Sequence, residues 1–221
     1  MNFLQLAKRV RQECGISGDG PPSTSGQSGI YAKIVDWVQA AHEEVQQHHL
    51  DWNFDWARVT LDLADGVESY SPASTWGLDF KALSKDGLYT YREASGERAK
   101  FWLQEIPWEE YRQLRLVNVV GLPSYIALSP DKRLHFFPTP NAGLKFVMEY
   151  FREPQVLASN TDEPRMPARY HMAIVWRAVM MWCAHDENPA LFQVANANYR
   201  ELLRKLQVTE LPGMRTAGGL A

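Results

Sequence analysis

No stretch of this 221-residue chain approaches the roughly 18 uncharged apolar residues that a bilayer span requires, which argues against a membrane protein. Cysteine is almost missing. Cys14 and Cys183 are the whole complement, which excludes a disulfide scaffold. A single bond between them stays open, although two scattered thiols in apolar stripes are more often core residues of a reduced chain. Net charge is small, −3 from 23 basic and 26 acidic residues. The chain as a whole therefore has no field that would draw DNA or an anionic membrane, though a local basic patch is not excluded. The N-terminus runs from apolar (Phe3, Leu4, Leu6) to charged (Lys8, Arg9), the reverse of a secretory signal, and predicts a chain made and kept in a cytoplasm.

Catalytic signatures are missing too. There is no Gly-x-Ser-x-Gly elbow and no Gly-Lys-Ser/Thr phosphate loop. The glycines between Gly15 and Gly29 follow a helix and are interrupted by Pro21 and Pro22, which lack the amide hydrogens that cradle phosphate. They read as a flexible connection, ordered by a neighbouring subunit. His42, His48, His49, Asp51 and Asp55 are the best metal candidates, but six-residue and one-residue spacings do not put two histidines on one helix face. A solvated helix end accounts for them better. Glu43-Glu44 and Glu109-Glu110 point apart on helices, and Ser, His and Asp are scattered without pattern. The sequence predicts no enzyme, no cofactor and no metal.

What is present is ordinary globular material with an unusual share of large rings. Apolar residues are 45% of the chain and aromatics 12%, with eight tryptophans, enough for a sizeable core and for interface anchors. Rings interleaved with charge, as in Trp52-Asn53-Phe54-Asp55-Trp56 and Tyr89-Thr90-Tyr91-Arg92, would suit stacking on sugars or single strands, but such spacing more often means core.

The first helix is marked by Asn2 as cap, Gln5 at the capping-box position, and a stripe of Phe3, Leu6, Ala7, Val10 and Cys14. A second runs from about Ile30 to about His48, with Ile34, Trp37, Val38, Ala41 and Val45 on one face. From Trp52 to Glu153 the period becomes alternating. Strands are predicted at 59–63, 88–91, 100–103, 125–128, 133–137 and 144–151, with one short helix after Pro107. A third long helix starts near Pro167 and is apolar on nearly every side, so it should be central. A fourth opens at Asn188-Pro189 and carries a seam of Leu191, Ala195, Asn198, Leu202 and Leu206. The expected fold class is α+β: a helical bundle of N- and C-terminal helices, a β-rich hairpin insertion and an extended C-terminal tail. The expected divisions are 1–50 and 155–207 as the two parts of the bundle, 51–154 as the insertion, and 208–221 as the tail.

That tail carries Leu211, Met214 and Leu220 on a Gly-containing backbone suited to a groove on another protein. Its 14 residues would reach on the order of 45 Å if extended.

Several ordered pieces resemble one family. Leu122-Pro123-Ser124-Tyr125 is followed by Phe137-Pro138-Thr139-Pro140, then Glu149-Tyr150-Phe151-Arg152-Glu153-Pro154, then Asp162-Glu163-Pro164-Arg165-Met166-Pro167 and two closing helices. This succession, firmest from Gly121 to Gln207, resembles the head-to-tail adaptor proteins of tailed bacteriophages. The resemblance implies a structural virion protein of the neck, made in the host cytoplasm. Copies would form a ring of twelve, bind the portal protein, and offer a platform to downstream tail or neck proteins. It allows non-specific contact with DNA in the channel and implies no membrane. It also implies portal binding by the tail, through Val208, Leu211, Pro212, Met214, Arg215 and Leu220. The alternative is a carbohydrate- or nucleic-acid-binding tail module of a virion; a hydrolase of unrecognised type ranks third.

Overall fold

The computed structural model describes residues 1–84 and 87–212. In chain order its elements are α1 (Phe3–Glu13), α2 (Gly29–Gln47), β1 (Trp56–Leu63), β2 (Ser69–Tyr70), α3 (Pro72–Trp76), β3 (Phe80–Leu83) and β4 (Tyr89–Arg92). There follow β5 (Lys100–Trp102), β6 (Gln104–Glu105), α4 (Trp108–Leu114), β7 (Val120–Gly121), β8 (Tyr125–Leu128) and β9 (Leu134–Phe137). β10 (Thr139–Pro140), β11 (Leu144–Arg152), α5 (His171–His185) and α6 (Pro189–Glu210) complete the run. The fold is mixed α+β, and its residues divide into two compact units: Met1–Asp55 with Pro154–Ala221, and Trp56–Glu153.

The first unit is helical. Asn2 accepts the Gln5 amide at 2.9 Å while the Gln5 side chain accepts the Asn2 amide at 2.9 Å, the reciprocal cap its sequence predicts. Two further N–H groups at the start of α1 find carbonyls outside the helix, Phe3 to Asp162 at 2.8 Å and Leu4 to Asn160 at 3.3 Å. α5 contacts α1, α2 and α6, as its all-round apolar surface requires. Leu6, Val10, Ile34, Val38, Ala41, Val45, Ile174, Ala178 and Leu206 form the fully buried centre.

Three local readings change. The buried residues of α6 are Ala195, Tyr199 and Leu206, so the seam turns through Tyr199 rather than Asn198, which is only half-buried. α6 continues through Glu210, so 208–210 are helical rather than extended; Thr209 returns its hydroxyl to the Lys205 carbonyl at 3.1 Å and bonds the Tyr170 hydroxyl at 2.9 Å. The 15–29 segment is tied down within its own unit. Asn160 Oδ1 accepts the Thr24 amide at 2.7 Å and the Thr24 hydroxyl at 2.8 Å, and Arg11 donates to the Ile16 carbonyl at 2.8 Å. Gly18 is needed there: its φ is +96°, and a Cβ would stand 2.8 Å from the Tyr31 hydroxyl.

The second unit is built on two main sheets. One runs β1-β11-β4-β5, all antiparallel, with β3 also on β11; the other runs β2-β9-β8-β6, in which β6 and β8 are parallel. β7 and β10 form a small parallel pair. Inner-face residues of both sheets meet in one core, where Phe136 of β9 stands edge-on to Phe146 of β11 at 5.0 Å. β2, α3 and β3 are elements the sequence reading does not predict: each is too short to display a periodicity, and α3 is fixed by Ser71 capping Ser74 and by Pro72.

Candidate functional site

No cluster of His, Cys, Asp or Glu among the described residues has metal-site geometry. The histidines once considered together go three ways. His42 is 1% exposed inside the helical unit, beside the Gln46 amide at 3.4 Å, and burial, reinforced by Arg165 and His171, drives its pKa down to about 4. His48 meets the Tyr199 hydroxyl at 3.1 Å, and His49 meets the Gln207 amide at 3.0 Å. Asp55 is buried and paired with Arg165 at 3.2 Å. The solvated-helix-end reading holds for His48 and Asp51, which are exposed, and is corrected for His42 and Asp55, which are buried; His49 is half-buried, edge-on to the fully buried Trp52, which stacks on Phe54.

Both cysteines are free and buried. Burial, and then the neighbouring Cys183, raises the Cys14 thiol to about 12; burial also raises Cys183. A thiol held protonated is not a nucleophile.

The nearest approach to a catalytic constellation among the described residues is Ser129 and Asp131 in the turn between β8 and β9 with His135 on β9. Ser129 is buried, donates to Asp131, and stands 3.2 Å from His135 Nε2. With the hydroxyl hydrogen committed to the carboxylate, Nε2 must donate, which is the wrong sense for a base. Nδ1, which a triad would give to the carboxylate, is buried and carries no hydrogen bond. Ser129 also spans the turn, accepting the Arg133 amide at 3.3 Å. It is a turn lock.

The motif residues are likewise structural. The Ser159 hydroxyl, followed by the amides of Ser159 at 2.9 Å and Ala158 at 2.7 Å that Asp162 Oδ2 accepts, holds the Asp162 carboxyl below the usual range. Met166 is buried and its carbonyl meets His171 Nε2 at 3.0 Å. Gln46 and Gln155 mimic a strand pair: Gln46 Oε1 accepts the Gln155 amide at 2.7 Å and Gln46 Nε2 donates to the Gln155 carbonyl at 3.2 Å. Asp162 fastens the crossover to α1 through its carbonyl, which accepts the Phe3 amide, while Gln155 and Leu157 fasten it to α2.

What the molecule offers is surface. Of the tail positions, Val208 is 77% exposed on the last turns of α6 and borders a largely apolar groove of about 480 Å³ with Tyr170, Arg204, Lys205 and Thr209. Leu211 packs back on the helical core, and its amide donates to the Gln207 carbonyl at 3.2 Å. Pro212 is exposed. Met214, Arg215 and Leu220 lie outside the described residues. The aromatics proposed for stacking divide: Trp52 and Tyr89 are buried, whereas Trp56 is partly exposed.

Two apolar surfaces escape the sequence reading. One is the run Leu116, Val117, Val119 and Val120, all exposed, after α4. The other is β5, where Lys100, Phe101 and Trp102 are all exposed, Trp102 at 59%. The signal was available in β5: two adjacent rings in a strand point to opposite faces, and a sheet with one buried face cannot cover both.

The adaptor-family model that describes itself as "SU10 adaptor protein" matches residues 1–218, and the chain belongs to that family, a bacteriophage head–tail adaptor family of structural proteins. No curated protein matches it.

Proposed function

We propose that this phage adaptor works by contact alone, as a ring of twelve copies docked on the portal in the neck of the virion, with a further face for the tail. The helical unit is the bundle that carries the ring, and the β-rich unit is an insertion in it that supplies contacts between copies. The residues from Val208 onward bind the portal, led by Val208, Leu211, Pro212, Met214, Arg215 and Leu220.

The observation that carries the reading is the match over residues 1–218, because it spans both units and the end of α6. Support of a different kind comes from the groove beside Val208, which adjoins the point where the C-terminal segment leaves α6. Apolar residues on a helix end next to an apolar groove cost exposure unless a partner covers them.

Because Thr209 and Leu211 hold the helical unit together, the cut that tests docking is after Pro212. A chain ending there, and separately a Val208→Asp chain, should stay folded and lose co-sedimentation with the portal by at least tenfold. Full co-sedimentation of both would remove docking from this segment.

A further inference from the structure

The geometry points to a specific contact between copies: β5 of one protomer adds to β1 of the next, continuing one antiparallel sheet around the assembly. This rests on the ring reading above and names the surfaces that would build it.

Both strands are sheet edges. Among the described residues β1 pairs only with β11 and β5 only with β4. The direction of each backbone group follows from bonds just beyond the strands. Glu93 N–H donates to the Gly143 carbonyl at 3.0 Å, so the odd residues of β11 bond β4 and its even residues bond β1. The register Phe146↔Leu61 then assigns the odd residues of β1 to β11, leaving the N–H and C=O of Arg58, Thr60 and Asp62 aimed outward. At the other edge, Leu103 N–H donates to the Leu88 carbonyl at 2.9 Å, which assigns Phe101 to β4 and leaves Lys100 and Trp102 aimed outward.

The two edges fit each other. Two strands, β11 and β4, separate them in an all-antiparallel path, so β5 and β1 run in opposite senses, and a copy placed alongside continues the antiparallel order. Rows across the sheet fix the register. Asp62, Lys145, Tyr91 and Lys100 form one row; Leu61, Phe146, Thr90 and Phe101 form the next; Thr60, Val147, Tyr89 and Trp102 form the third. Continuing these rows without stagger sets Lys100 opposite Asp62 of the next copy, Phe101 opposite Leu61, and Trp102 opposite Thr60.

That register joins opposite charges on the outer face and apolar groups on the core face. A shift of four residues would instead oppose Lys100 to Arg58. Asp62 already meets Lys145 of its own chain, yet 78% of its side chain stays exposed and can take a second ammonium. Because no stagger accumulates from copy to copy, the contact has the character of a ring rather than of a filament, and it joins two different patches as a heterologous interface must. It also covers an edge that would otherwise template uncontrolled pairing.

The test is a Lys100→Cys, Asp62→Cys chain, full length, incorporated into particles and oxidised. Within one chain these positions lie three strand spacings apart, about 14 Å, beyond the roughly 7 Å a disulfide spans. Any bond therefore links copies; Cys14 and Cys183 are buried. A ladder of covalent multimers on a non-reducing gel is the expected result, with each single variant remaining monomeric. Rings visible by electron microscopy without a ladder would overturn the edge assignment and leave the ring reading intact. Dimers from Lys100→Cys alone would overturn it in favour of a β5–β5 contact. Particles holding no ring of this protein would remove the ring reading and this contact together. If the double-cysteine chain does not fold, Lys100→Asp should abolish assembly and Asp62→Lys added to it should restore at least a tenfold share; no restoration overturns the pairing.

Discussion

Two tryptophans, one in each unit, are used in opposite ways. In the helical unit Trp52 is fully buried, stacked on Phe54 at 5.3 Å and edge-on to His49 at 4.9 Å. In the β-rich unit Trp102 stands on an edge strand, 59% exposed, with its ring edge-on to Tyr89 and 4.5 Å from the Lys100 ammonium. The same side chain is thus a fold anchor in one unit and a surface element in the other. Helices satisfy their own backbone and expose only side chains, whereas a short sheet leaves edges whose polar groups invite another strand. Trp52 therefore stabilises its own unit, whereas Trp102 adds little to folding and, under the contact proposed above, serves association between copies.

The largest expected effect tests that assignment directly. Trp52→Ala should cost about 3–5 kcal/mol in a denaturant melt of the helical unit, and Trp102→Ala no more than about 0.5 kcal/mol. Equal costs would break the comparison.

Acid should separate the units next. His42 takes up a proton near pH 6.5 when unfolded but only near 4 when folded, so between those values the unfolded chain binds more protons. Stability is full above pH 6.5 and falls as pH drops, by roughly 3 kcal/mol at pH 4. Urea midpoints followed by hydrogen exchange should show the helical unit loosening, and His42→Asn should flatten the slope. A slope unchanged by that substitution would move the effect to His171, whose pKa burial also lowers.

Smaller effects sharpen the contrast. Asn2→Ala removes half of the reciprocal cap on α1 and should cost about 1 kcal/mol. Lys132→Ala breaks an exposed pair with Glu153, 2.6 Å apart, in the β-rich unit and should cost less than about 1 kcal/mol. Thermal melts of both variants would rank them, and the reverse order would argue that the turn around Ser129 carries more of the β-rich unit than its exposure suggests.

Much of the helical unit was legible because its signals are local. Asn2 with Gln5, Asn188 with Pro189, and the stripe from Phe3 to Val10 each act within a turn or two, and the all-round apolar α5 announces its own burial. The turn at Tyr199 was not legible, since its burial depends on where His48 arrives from another helix. Nor was the anchoring of 15–29, where Arg11 is joined by the side-chain amide of Asn160, more than a hundred residues away. For the surfaces, periodicity located β5 but not its position in the sheet, and the C-terminal residues could be nominated only by composition.

The amino-acid order by itself determined the four long helices, the principal strands, and a set of motif residues sufficient to indicate an adaptor. Caps, periodicity and proline act between neighbours, and a linear text records neighbours. Only the tertiary structure decided that those motif residues fasten a crossover, that Leu211 folds back while Val208 faces out, and that β1 and β5 end a sheet. Edges and anchors are properties of who lies beside whom, and burial in one place is set by chain arriving from another.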